Sequence, residues 1–150
     1  MIKIVHGDLL LSNADLICHQ VNCQGVMGSG VAKQIKEKWP EVFREYRKLC
    51  TSHSADKEAL LGTVQMIKVE EATTVCNIFG QLDFGRDGSC YTHIDSLKIA
   101  FKTIANNLGS EKSVAMPHRI GCGLGGGDWG AVMNILAENF HNYNLTLYKL

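Results

Sequence analysis

The chain has 150 residues, 45% of them apolar, enough for one domain (1–150) with a full core and little room for a second. Fifteen basic residues balance fifteen acidic ones, so the composition offers neither the basic groove that a nucleic acid needs nor attraction to an anionic membrane. No apolar run approaches ~18 residues, and the chain enters a strand pattern at residue 2 without a leader-like segment, so a cytoplasmic protein is expected.

Residues 2–5 form a short apolar strand, and His6-Gly7-Asp8 ends it with turn chemistry. Asp8 then caps the turn at Leu9-Leu10-Leu11, or serves as a ligand acceptor able to take an exocyclic amine. Residues 15–22 read as a central strand with His19 and Asn22 near its end, where ligands gather in parallel sheets. His19 is either a hydrogen-bonded core residue or an acid or base. Asn22, at the mouth of a glycine loop, offers a donor and an acceptor to sugar hydroxyls.

The loop after that strand carries Gly25, Gly28, Ser29 and Gly30 and opens a helix at Val31. Glycines allow close backbone approach to an anion, and the first N–H groups of a helix supply the attraction. Val31, Ile35 and Trp39 share one face of this helix, and Pro40 stops it. A second helix follows, its Val42, Phe43, Tyr46 and Leu49 forming a core stripe, and residues 51–58 read as a mobile surface loop.

Residues 63–69 and 73–79 make a hairpin across the acidic pair Glu70-Glu71. The polar stretch 80–89, with Asp83, Phe84, Arg86 and Asp87, is either a lid or a plain connection. A long helix over 91–108 ends at Gly109. A buried strand over 113–117 delivers a second glycine turn, Gly121-Cys122-Gly123-Leu124-Gly125, so that a diphosphate could be held between the two turns. Asp128 opens a helix over 129–140 as an N-cap or a catalytic acid. Residues 144–150 alternate as a last strand.

Six cysteines show no C-x-x-C pair, so reduced thiols are expected and neither metal nor cofactor is called for. Each suits a small apolar role. Cys23 and Cys122, inside the glycine loops, have the alternative of exposure as ligand contacts or oxidation sites. No exposed apolar stripe stands out, so a monomer is the default. Strand–helix alternation with a hairpin in the middle predicts an α/β protein, a three-layer α/β/α domain around a mixed sheet of about six strands.

Gly7-Asp8, Asn22-x5-Gly28-x-Gly30-Val31, the Met116-Pro117 strand end, the Gly121-Cys-Gly-Leu-Gly turn and a closing strand with Tyr148 together resemble the macrodomain, the ADP-ribose-binding fold, along the whole chain. The resemblance is to the branch of terminal ADP-ribose protein glycohydrolases and ADP-ribose 1''-phosphate phosphatases. It implies that Asp8, beside Leu9, takes the adenine amine and that Asn22 takes the distal ribose. It gives the diphosphate to the backbone of Gly28, Ser29, Gly30 and Val31 and of residues 121–125, and the nucleoside wall to Tyr148 or Leu150. The glycohydrolase branch carries a lysine after the mid-sheet strand and an acid after the Gly-Cys-Gly-Leu turn. Here those places hold Gly80 or Gln81, and Gly125.

The expected partner is therefore ADP-ribose, an ADP-ribosylated protein or ADP-ribose 1''-phosphate. The expected activity is hydrolysis of an ADP-ribose derivative, with the 1''-phosphate favoured and His19 or Asp128 handling the proton. A non-catalytic reader and an ADP-ribosyl-ester hydrolase are the alternatives.

Overall fold

The computed structural model describes residues 2–150. The strands are β1 (Ile2–His6), β2 (Leu16–Asn22), β3 (Val64–Glu70), β4 (Thr73–Gln81), β5 (Ser113–Pro117) and β6 (Asn144–Lys149). The helices are α1 (Gly30–Lys38), α2 (Pro40–Ser52), α3 (Ile94–Asn107) and α4 (Trp129–Phe140). One sheet runs in the order β1-β6-β5-β2-β4-β3, parallel throughout except for the antiparallel β3–β4 hairpin.

Every residue of β2 but Gln20 is buried, as a strand covered on both faces must be. Its alternation sends Ile17 and Val21 to one face, where they pack with Ile35, Val42 and Tyr46 of α1 and α2. Leu16 and Cys18 go to the other, against Leu97, Phe101, Leu136 and Phe140 of α3 and α4. Two apolar cores, one on each face of the sheet, make the predicted three layers.

Chain direction positions the site. From β2 the chain crosses through α1 and α2 to β3 and β4 on one side, whereas β5 lies on the other side of β2. Beyond the carboxyl ends of β2 and β5 the connections diverge and leave a crevice, the usual ligand position in open α/β sheets. The two glycine loops are the segments that leave these two strands.

Several boundaries differ from the sequence reading. Helix α2 runs on to Ser52 and a 3-10 turn covers Lys57–Leu60, so the expected loop over 51–58 is partly helical. Leu60 is buried and anchors that segment, an apolar contact hidden in a polar stretch. Helix α3 begins at Ile94 rather than 91, because Thr92 instead pairs with Gln81 in an isolated antiparallel bridge. No helix among the described residues is long and apolar enough to cross a membrane.

Candidate functional site

The crevice holds two adjoining cavities. The larger, about 790 Å³, is lined by His19, Gln20, Asn22, residues 28–32, Gln81, residues 84–86 and the second glycine loop. The smaller, about 240 Å³, is lined by Gly7, Asp8, Leu9, Leu10, Gln34, Tyr148, Lys149 and Leu150. Val31, Pro117, His118 and Arg119 line both and form the seam between them.

The first loop is built for an anion. Ser29 precedes α1 in an extended conformation and gives no side-chain cap, so the first amides of the helix keep no side-chain acceptor. Gly30 has φ +60, and a Cβ there would meet nothing within 4 Å: the backbone conformation, not crowding, calls for glycine. Asn22 shapes this loop from within. Its Nδ2 donates to Val26 O at 2.8 Å and its Oδ1 accepts from Gln24 N at 2.9 Å. The buried Tyr46 hydroxyl lies 2.6 Å from Asn22 O and 2.9 Å from Asn22 Oδ1. The amide read as a ribose contact thus spends its oxygen and one of its two N–H groups on folding the turn, and Asn22 lines the cavity with the other N–H unspent among the described residues.

The second loop is fixed by close contact. A Cβ at Gly125 would lie 2.5 Å from Thr92 Oγ1 and 2.8 Å from Gly121 O. Beneath it lies a polar ladder. Gln81 Nε2 donates to Asp83 O at 2.7 Å, which turns Gln81 Oε1 toward Gln20 Nε2, 2.6 Å away. Gln20 Nε2 also reaches Thr92 Oγ1 at 3.0 Å, and the Thr92 hydroxyl donates to Gly121 O at 2.5 Å. Gln20 Oε1 is left buried without a partner among the described residues.

His19 belongs to a second ladder, reaching from β2 through β4 and β3 to α2. Glu45 O can only accept, so Gln65 Nε2 donates to it at 3.1 Å. Gln65 Oε1 accordingly accepts from Asn77 Nδ2 at 3.0 Å, and Asn77 Oδ1 accepts from His19 Nε2–H at 2.5 Å. The imidazole therefore carries its proton on Nε2, while Nδ1 keeps a lone pair with no partner among the described residues. Burial pushes the ring's pKa down to about 4, against the smaller upward pull of Asn77. His19 is neutral at physiological pH. It bonds to Asn77.

The remaining candidates fall as follows. Gly28, Ser29, Gly30 and Val31 meet Gly121, Gly123, Leu124 and Gly125 around the larger cavity, and Asp8, Leu9 and Tyr148 meet around the smaller. Asp8 takes the cap alternative with one oxygen, Oδ1, which accepts from Leu10 N at 2.9 Å. Asp128 takes its cap alternative too: it accepts from Gly130 N at 3.0 Å and lines neither cavity. Cys122, half-buried, turns back toward Ile120 O and the α3–α4 core and lines neither cavity, and Cys23 is fully buried. Burial raises the pKa of both, Cys23 to about 12.

Sequence reasoning named Val31 but missed the seam residues His118 and Arg119 and the Gln20 ladder. Their one signal was polarity next to a glycine turn, as in His118-Arg119 before Gly121. The stretch left open as lid or connection does supply Phe84, Gly85 and Arg86 to the larger cavity.

The model of the Macro domain family matches residues 18–136. The DNA ADP-ribosyl glycohydrolase of Mycobacterium tuberculosis is 32% identical over 142 residues, covering 93% of this chain and 39% of that protein. The ADP-ribose 1''-phosphate phosphatase of Scheffersomyces stipitis is 28% identical over 171 residues, covering 97% of this chain and 98% of the phosphatase. Among solved structures, the macrodomain of Mycobacterium tuberculosis DarG aligns with a TM-score of 0.80 at 29% identity, covering 99% of this chain and 97% of that one. The chain thus spans about two fifths of the glycohydrolase relative and nearly all of the phosphatase. With the family match running from β2 into α4, across both glycine loops and the sheet between them, this chain belongs to the macrodomain family.

Proposed function

We propose that this chain, acting as a single domain, binds ADP-ribose and hydrolyses an ADP-ribose derivative, with ADP-ribose 1''-phosphate the favoured substrate. The observation that carries this reading is the division of the crevice into an apolar compartment, a seam and a larger compartment floored by two glycine loops. Adenosine suits the first, the diphosphate runs from the seam onto the loop amides, and the distal ribose takes the rest of the larger compartment. Asp8 keeps acceptor capacity for the adenine amine, because a carboxylate offers about four lone-pair sites and the cap takes one. The two relatives named above act, by their names, on linkages of ADP-ribose.

The phosphatase is favoured over lysine-adduct chemistry for a local reason. No lysine lines the larger cavity, and Gln81, near the place where the glycohydrolase branch carries one, is tied to Gln20 and Asp83. In the favoured reaction water attacks phosphorus, the P–O bond to the distal ribose breaks, and phosphate and ADP-ribose depart. His19, which lines the larger cavity, is the residue we assign to carry a proton from the attacking water to the departing ribose oxygen, a role that requires its covered Nδ1 to open to the cavity.

A second reading, a non-catalytic reader, is favoured by one observation: the His19 side chain is 1% exposed and its Nδ1 is covered. A phosphorus NMR time course with ADP-ribose 1''-phosphate separates the two. Release of inorganic phosphate, lost in His19→Ala, supports the hydrolase. Broadened diphosphate signals without product select the reader. Unchanged spectra refute both.

A further inference from the structure

Among the described residues Arg119 is the one non-glycine residue with a left-handed backbone, at φ 64. It is the third residue of a turn closed by Ile120 N–H donating to Pro117 O at 3.1 Å, and Cys122 N–H donates to its own carbonyl at 2.8 Å. Glycine or asparagine fills such a position without steric conflict, whereas a long side chain carries a penalty that persists where surroundings and function require it. The side chain is exposed, and its guanidinium has no carboxylate or hydrogen-bond partner among the described residues. Arg119 also lines both cavities, and it alone among the four seam residues bears a permanent charge.

We propose that Arg119 is the cationic contact to the ligand's diphosphate, standing at the seam between the nucleoside compartment and the larger cavity. The inference rests on the ADP-ribose reading above. The glycine loops offer only backbone dipoles, while an arginine adds a full charge and a planar fork matched to two phosphate oxygens. An arginine in a conformation suited to glycine is then the cost of placing that charge between the compartments.

The test is calorimetric titration of ADP-ribose into the wild type, Arg119→Gly and Arg119→Lys, with a thermal melt of each. Arg119→Gly should bind roughly ten- to a hundredfold more weakly, and it should melt about 2–4 °C higher because the backbone penalty is gone. Arg119→Lys keeps the charge and the penalty, so it should bind between the two and melt like the wild type. Wild-type affinity in Arg119→Gly overturns the proposal. So does equal weakness of both variants with lowered melting points, which would make Arg119 a structural residue. A wild type that does not bind ADP-ribose refutes the functional reading itself, and the inference with it.

Discussion

Acidification from pH 7 to pH 4 should cost the wild type about 3 kcal/mol more stability than it costs His19→Gln. His19 has a folded pKa of about 4 against an ordinary value of 6.5, so its folded pKa lies below its unfolded one. Between those two values the unfolded chain binds the proton and the folded chain does not. Stability is therefore complete above pH 6.5 and falls as the pH drops toward 4, where each pH unit is worth about 1.4 kcal/mol. The side chain is 1% exposed, so solvent screening does not dilute the effect. Glutamine keeps an N–H donor for Asn77 and does not titrate. Urea denaturation at pH 7, 5.5 and 4 provides the assay, with the excess loss appearing as a midpoint shift of roughly 1–2 M. Equal losses in the two proteins, or an imidazole that titrates near 6.5 by NMR, would refute the reasoning from burial.

Tyr46→Phe removes the buried hydroxyl beside Asn22 while keeping the ring against Phe79, 5.9 Å between centroids. It should cost about 1–3 kcal/mol in denaturant melts and weaken ADP-ribose binding by loosening the first glycine loop. Gly125→Ala puts a methyl 2.5 Å from Thr92 Oγ1 and should abolish ADP-ribose binding in calorimetry, with the far-UV dichroism of the sheet and helices kept. Tyr148→Ala should lower affinity for ADP-ribose about tenfold and leave ribose 5-phosphate binding unchanged, because the ring lines only the smaller compartment.

What the sequence made legible is what is written locally. The alternating strands, the helical stripe of Val42 and Tyr46, the acidic hairpin turn and the two glycine turns each depend on residues close together in the chain. The ladders are not local. Gln65, Asn77 and His19 sit on three strands and meet through the pairings Gln65↔Asn77 and His19↔Asn77. In the sequence Asn77 is only a polar residue in an apolar run. Asn22 shows the converse: it was found, but its residue type could not say that the loop would engage its amide. Cys23 kept the alternative of exposure because it follows Asn22 in a glycine turn, and the structure takes its small apolar reading, in the α1–α2 core.

The bridge between Gln81 and Thr92 has a consequence for how this crevice can change over evolution. It staples the two stems of the intervening loop at the sheet, so most of the closure entropy of the loop is met at its base and not at its tip. Phe84, Gly85 and Arg86, which hang over the larger cavity, belong to an exchangeable insert. Lengthening or rewriting those three residues would retune which acceptor or leaving group can approach, while Leu82 and Asp83, which belong to the core and to the Gln20 ladder, stay with the stapled base.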